Sequence, residues 1–321
     1  MNIVVTGSSG FIGFHTVKKL SKNKNFKIFG IDNQNNYYDV KLKRDREKIL
    51  KKIKNYSFTK LDITNFSKLN TFFKKNKINI VIHLAAQAGV RDSVTNPNKY
   101  FTNNIIGFFN IIQVSNLYKI KHLLFASTSS VYGSQNKFPL KENVDINKPL
   151  SFYAASKISN ETIAYSYSNI FQLPCTCLRF FTVYGPYGRP DMALYKFTSL
   201  IRARKTLKLY NNGKHIRDFT YVNDVVNYIY ELVKKPSKHK IPYNVFNIGS
   251  NRPETLKNFL KIIENNLKMK SKITYLNIQK GDIYKTHADN LKINKYVKKG
   301  FNTPLKKGIK NFIDWFIEYH K

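Results

Sequence analysis

The chain has 321 residues, 42% of them hydrophobic, enough for one large domain or two interlocked ones around a sizeable core. Its formal net charge is +36, yet the lysines are scattered through every expected element and far outnumber the arginines, which favours a general surface bias over a specific nucleic-acid face. No apolar run approaches about 18 residues and no leader pattern opens the chain, so a soluble cytoplasmic protein without membrane insertion is expected.

The first element is Asn2-Ile3-Val4-Val5-Thr6, an apolar run suited to a buried parallel strand. It feeds Gly7-Ser8-Ser9-Gly10-Phe11-Ile12-Gly13 and a helical pattern over 11–21. The glycines permit a tight turn and close backbone approach to a pyrophosphate at a helix N-terminus. The next strand, 26–32, ends in Asp32, where an acid chelates adenosine ribose hydroxyls and repels a 2′-phosphate. Strand, loop, helix, strand and acid in this order point to a dinucleotide site rather than a structural Gly-rich turn. A helix over 40–53 follows, and its dense lysine run, Lys41 to Lys54, reads as an exposed helix.

Alternation continues with strand 57–61, helix 66–75, strand 78–84, helix 98–118, strand 122–127, helix 152–170 and strand 174–180. This pattern predicts an α/β fold, a Rossmann-type doubly wound parallel sheet. His83, closing the fourth strand, is expected as a packed strand histidine, with a proton carrier as the alternative. Cys175 and Cys177 sit two apart on an apolar strand and read as reduced, packed thiols; no metal site is expected. Past about 180 the order loosens into helix 192–203, strand 207–210, helix 222–234, strand 244–248, helix 254–267, strand 272–277 and helix 304–319. The expected division is a dinucleotide-binding domain over 1–180 and a smaller, partly interleaved α/β substrate domain over 181–321.

The chemistry is concentrated between Ser127 and Lys157. Tyr153 and Lys157 stand four apart on a helix, hence on one face. A phenol has a pKa of about 10, so acting as a base near neutrality requires stabilising the phenolate by roughly 4 kcal/mol. A fixed cation one turn away supplies part of that, and the Thr128 hydroxyl is placed to share a hydrogen bond with a substrate oxygen. The spacing alone is common; it gains force from the dinucleotide motif that precedes it.

With GxxGxxG, Asp32 and Tyr153/Lys157 in this order, the chain resembles the extended short-chain dehydrogenase/reductase superfamily. Within it, the chain is most similar to nucleotide-sugar epimerases of the UDP-glucuronate 4-epimerase kind. The distinctive blocks are Gly30-Ile31-Asp32-Asn33 with Tyr37-Tyr38-Asp39-Val40, the run from His83 to Arg91, and the run from Arg179 to Ala193. The resemblance implies tightly held NAD, contacted by Gly7, Gly10, Phe11, Ile12, Gly13 and Asp32. It places Asp62 and Ile63 near adenine, Leu84, Ala85 and Ala86 against the cofactor, and Asn104 as a residue steadying the site. Lys157 would bind the nicotinamide ribose.

For the substrate, the resemblance assigns Arg217 to the pyrophosphate, Tyr210 to uracil stacking and Asp282 to ribose. Ser129 and Ser130 stand where related decarboxylases and dehydratases carry acids, so epimerisation alone is implied. Thr182 replaces the Asn usual in galactose-type epimerases. With Ser130 and Arg189 it forms a set suited to a C5 carboxylate; the alternative for Arg189 is a local pair with Asp191. The implied reaction interconverts UDP-glucuronate and UDP-galacturonate through a 4-keto sugar, with Tyr153 as acid and base. Asp92 departs from the family's usual Tyr, with Arg91 beside it as a partner. The rival readings are a UDP-hexose 4-epimerase, a UDP-glucuronate decarboxylase, and a non-catalytic NAD-bound RNA-binding protein. Helices 98–118 and 152–170 carry more apolar residues than one buried face needs, and the family pairs subunits through them, so a homodimer is expected.

Overall fold

The computed structural model describes residues 1–278 and 283–321. Its first half alternates strictly: β1 Asn2–Thr6, α1 Phe11–Leu20, β2 Lys27–Asp32, α2 Val40–Leu50, β3 Tyr56–Lys60, α3 Phe66–Asn76 and β4 Ile80–His83. Two short helices, α4 Asp92–Thr95 and α5 Pro97–Tyr100, lead through a π-helical turn at Phe101–Ile106 into α6 Gly107–Leu117. Then come β5 His122–Thr128, a 3-10 turn at Ser129–Tyr132, α7 Phe152–Phe171, β6 Cys175–Phe180, β7 Thr182–Tyr184, α8 Ala193–Arg202, β8 Leu207–Tyr210, β9 Ile216–Tyr221 and α9 Val222–Leu232. The chain continues through β10 Tyr243–Ile248, β11 Pro253–Thr255, α10 Leu256–Leu267, β12 Ile273–Leu276, α11 Leu291–Val297 and α12 Leu305–Tyr319.

The large sheet runs β10-β6-β5-β4-β1-β2-β3, and every pairing in it is parallel. The inner strands β1, β4 and β6 are buried on both faces, which is why they read as nearly continuous apolar runs. One face packs on α1 and α9, through Phe14, Val17, Val225 and Ile229; the other packs on α3, α6 and α7. The strand order reverses between β1 and β4, which opens a crevice at their C-terminal ends. Residues beyond 180 return to this sheet: β10 forms its edge and α9 packs on α1. A three-stranded sheet, β11-β9-β7, and the pair β12-β8 surround a separate core of Phe197, Phe219, Phe259 and Phe312.

Two expectations are corrected. The helix expected over 98–118 is not uniform, because it widens into the π-helical turn before Gly107. A Cβ at Gly107 would meet Ile63 Cδ1 at 2.7 Å, so glycine lets this helix lie close on the β3–α3 connection without displacing the Ile63 side chain. The lysine-rich α2 is not wholly exposed either. Leu42, Lys43, Arg46, Glu47 and Leu50 form a buried stripe at helical spacing, three of them charged. Among the described residues no helix is long and apolar enough to cross a membrane.

Candidate active site

The crevice at the strand reversal deepens into a cavity of about 720 Å³ that runs from Asp32 past Tyr153 to Arg189. At one end Gly7 has a φ of +70°, and a Cβ there would lie 2.8 Å from Ala85 N. Glycine therefore allows the turn after β1 to lie against the backbone leaving β4. Gly10, Phe11, Ile12 and Gly13 line the same wall as α1 begins, with Leu84, Ala85 and Ala86 opposite. Backbone N–H groups at a helix start and small residues across from them make a cradle that fits a dinucleotide pyrophosphate. Asp32 lines this end and accepts hydrogen bonds from Gln34 N (2.7 Å) and Ser9 N (3.2 Å). Burial raises its pKa above the usual carboxylate value.

Ile63 lines the cavity, whereas Asp62 stands just behind it. Asp62 accepts from Asn33 Nδ2 (2.8 Å), Thr64 N (2.9 Å) and Thr64 Oγ1 (2.7 Å). Burial works to raise its pKa, but these donors together hold it below the ordinary value. Asn104 is fully buried outside the lining. It accepts from Gln87 N (2.8 Å) and donates to Gln87 O (3.0 Å) and Ser156 Oγ (3.1 Å), tying the loop after β4 to α7. His83 is bonded to Thr6 Oγ1 at 2.8 Å, and burial pushes its pKa down to about 3. It is a neutral packed histidine that lies outside the cavity lining. Cys175 and Cys177 are free thiols buried in β6.

The reacting end is built by two segments. β5 ends in Thr128, whose hydroxyl donates to Ser130 Oγ (3.2 Å) and accepts from Ser130 N (3.2 Å), so the chain turns and presents Ser129 and Ser130 to the cavity. α7 starts at a Ser151 cap, with the Ser151 hydroxyl accepting from Ala154 N at 3.1 Å, which puts Tyr153 in the first turn. Burial raises the Tyr153 pKa, while a hydrogen bond with Thr128 and the positive charge of Arg189 pull it down. Lys157 is also buried, and burial lowers its pKa to about 8, with Glu161 working the other way. Its ammonium donates to Ala126 O (3.0 Å) rather than to the phenol. The cation thus sits beneath Tyr153, anchored to the strand.

The far wall carries Thr182 and Arg189. The Arg189 guanidinium makes a two-bond fork with Asp191 and lies 5.7 Å from the centre of the Tyr37 ring. Burial opposes its charge, but Asp191 outweighs burial and raises the pKa. Asp92 accepts from Tyr100 OH (3.1 Å) and Asn96 Nδ2 (2.8 Å) rather than pairing with Arg91. Arg91 instead lies over the Tyr210 ring at 4.9 Å. Tyr210 and Arg217 lie outside the cavity lining; Arg217 donates to Ile216 O (2.9 Å) and Tyr284 O (3.0 Å). Asp282 lies outside the described residues.

Lys43, Tyr37, Gln87 and Asp191 also line the cavity and were not singled out as site residues from the sequence. Lys43 Nζ donates to the carbonyl and side-chain oxygens of Asn35, both at 2.7 Å, and burial lowers its pKa against the pull of Asp32. Tyr37 stood in a recognised block. Nothing in the Lys41 to Lys54 run separates Lys43 from its solvated neighbours except its place on the Leu42–Leu50 stripe.

A glycine cradle, an acid at the end of β2 and a Tyr-Lys pair at the mouth of one parallel sheet define a dinucleotide-dependent protein of the short-chain dehydrogenase type. More particularly, the chain belongs to the NAD dependent epimerase/dehydratase family, whose profile matches residues 3–249. It is similar to Protein CapI of Staphylococcus aureus, 43% identical over 100% of both chains. It is also similar to UDP-glucuronate 4-epimerase of Thermodesulfobacterium geofontis, 38% identical over 97% of this chain and 95% of that one. Among solved structures, UDP-glucuronic acid 4-epimerase from Bacillus cereus, in complex with UDP-glucuronic acid and NAD, matches with a TM-score of 0.93 at 30% identity, covering 99% of this chain and 100% of that one.

Proposed function

We propose that the protein is an NAD-dependent 4-epimerase that interconverts UDP-glucuronate and UDP-galacturonate. The observation that carries the sugar assignment is the convergence of Ser130, Thr182 and Arg189 on the cavity that holds Tyr153. A uronate carboxylate takes up the guanidinium fork, by sharing it with Asp191 or displacing it, and the two hydroxyls complete its hydrogen bonds. An uncharged hexose gains nothing from that fork.

NAD, when bound, supplies a reversible hydride acceptor for the sugar C4. Tyr153 takes the O4 proton and later returns it, so it serves as base and acid in turn. Thr128 orients the phenol and O4. Lys157 places a positive charge beneath the phenol and offers its remaining donors to the nicotinamide ribose. Ser129 and Ser130 bring no carboxylate to the sugar, so a 4-keto uronate meets no added acid that would promote decarboxylation. Gly7 to Gly13, Asp32 and Ile63 hold the dinucleotide, Asp62 acts by holding Asn33, and Asn104 acts by fixing the loop that carries Gln87. Arg217, Tyr210 and Asp282 are proposed for the UDP moiety, in a substrate half that begins near residue 181.

The chain is also proposed to work as a homodimer in the cytoplasm, supplying activated galacturonate for polysaccharide synthesis. On α6 and the turn before it, Phe108, Ile111 and Ile112 are fully buried, while Phe101, Ile106 and Phe109 are exposed. Tyr165 and Ile170 on α7 are exposed as well, and a second copy covers both sets.

Proton NMR of the purified protein with UDP-glucuronate and no added NAD tests the proposal. UDP-galacturonate is the expected product. A pentose product would overturn the reading of Ser129 and Ser130. Interconversion of UDP-glucose and UDP-galactose alone would remove Arg189 from the carboxylate role. No turnover of any of these, even with NAD added, would favour the binding-protein class.

A further inference from the structure

Arg46 on α2 is fully buried, yet all of its hydrogen bonds go to neutral oxygens. Nη1 donates to Ser9 O (3.0 Å) and Tyr38 OH (2.7 Å), and Nη2 to Tyr187 O (2.7 Å) and, more weakly, Gly188 O (3.4 Å). Its Nε has no hydrogen-bond partner among the described residues. The neighbouring Glu47 carboxylate is turned away, to Ser9 Oγ and Tyr56 OH. A permanent charge held this deep without an ion pair among the described residues is costly, so its location calls for a reason beyond packing.

The two loops it joins have different jobs. Ser9 belongs to the glycine-rich loop, and its own N–H is committed to Asp32. Tyr187 and Gly188 immediately precede Arg189. The Arg189 loop is pinned to the same end of the molecule by other means: His15 Nε2 bonds Pro186 O at 2.8 Å, and the Tyr187 ring packs between Phe14 and Trp315, each at 4.8 Å. Burial pushes the His15 pKa down to about 3, so this neutral ring donates to the carbonyl. Tyr187 itself sits at a φ of +56°, which a non-glycine residue holds only when its surroundings enforce it.

We propose that Arg46 is a positioning residue that couples the dinucleotide site to the sugar site. This rests on the assignments of the glycine-rich loop to NAD and of Arg189 to the sugar. One planar fork spans both loops, so an arrangement of Ser9 fixed by a bound pyrophosphate also fixes Tyr187 and Gly188, and with them Arg189. The guanidinium charge behind Ser9 adds to the attraction for the pyrophosphate. By linkage, a bound uronate then tightens NAD by the same factor.

The test uses calorimetry on the full chain carrying Tyr153→Phe, which prevents turnover, after bound NAD has been stripped from the purified protein. UDP-glucuronate is titrated with and without NAD, and NAD alone is titrated as well. In this parent, NAD should tighten UDP-glucuronate by about ten-fold. Adding Arg46→Met should reduce that factor to less than about two-fold and weaken NAD about ten-fold. Arg46→Lys keeps the charge but not the fork, so it should restore NAD affinity to within about three-fold without restoring the coupling. If Arg46→Met does not fold, Arg46→Lys carries the test through the coupling alone. A merely structural arginine would lower thermal stability and leave the coupling factor unchanged, which would overturn the proposal. So would a parent without coupling, or Arg46→Lys restoring it in full. A parent that binds UDP-glucose but not UDP-glucuronate would sink the uronate reading instead, and the coupling is then read with UDP-glucose against the same thresholds.

Discussion

The dinucleotide end and the sugar end of the cavity are built by different means. At the dinucleotide end, one short unit, β1 through β2, brings the glycine turn, the helix start and Asp32 together within 32 residues. Its recognition surface is largely backbone. At the sugar end, Ser130, Tyr153, Thr182 and Arg189 come from separate segments, and their side chains make the surface. The difference teaches where tolerance lies. A backbone site fails when the chain cannot approach closely, whereas a side-chain site fails one contact at a time and can change its ligand without losing the fold.

The sharpest way to break that comparison is at Gly7. Gly7→Ala puts a Cβ against Ala85 N at 2.8 Å and forces alanine to a φ of +70°. Backbone on both sides leaves little room to give, so NAD affinity should fall by about 100-fold, equivalent to about 2.7 kcal/mol. Fluorescence titration with NAD reads this directly. Near-normal binding would mean that the β1 turn relaxes and that the close approach is not what makes the site. Arg189→Met is the parallel change at the other end. It should raise KM for UDP-glucuronate by about 10- to 100-fold, the range of a lost charge-assisted hydrogen bond, while NAD binding stays within about two-fold. An equal loss for UDP-glucose would place Arg189 in general loop support rather than in reading the carboxylate.

The same contrast explains what could be read from the sequence. β1, the glycine motif and Asp32 were legible because a buried parallel strand leaves an unbroken apolar run and a tight turn demands glycine. The doubly wound order followed from that alternation. β7 and β11 were not legible, since strands of three residues carry no measurable period, and the six-residue β9 was missed because Arg217 and Asp218 interrupt its apolar run. The close approach of Gly107 to Ile63, 44 positions away in the chain, is likewise invisible to any local pattern. Lys43 and Arg46 were hidden by their own charge. Hydropathy assigns such residues to solvent, and only the stripe they share with Leu42 and Leu50 betrays a buried face. Tyr153 and Lys157 were visible as a spacing, but not the engagement of the ammonium with Ala126 O, which requires β5 to lie alongside α7.

That last contact makes the smallest and most discriminating prediction, because it belongs to neither end and serves both. Burial lowers the Lys157 pKa to about 8, so the side chain is protonated below that value and neutral above it. Glu161 from the same helix favours the charged form; the buried Cys177 thiol on β6 is pushed to higher pKa and stays neutral, and the buried His83 on β4 is neutral throughout this range. The Tyr153 phenol is raised by burial, so lowering the pH removes the base, while raising it through about 8 removes the cation beneath it. The phenolate fraction still gains about ten-fold per pH unit below the raised Tyr153 value, and loss of the cation above about 8 cancels that gain, so the turnover rate should rise up to about pH 8 and level off above it if the cation is required. Lys157→Arg keeps a charge that does not titrate in this range, so the rise should continue above pH 8 even though the longer fork lowers the overall rate. A levelling near pH 8 that survives unchanged in Lys157→Arg would belong to another group, and the cation would then serve in holding ribose rather than in supporting the phenolate.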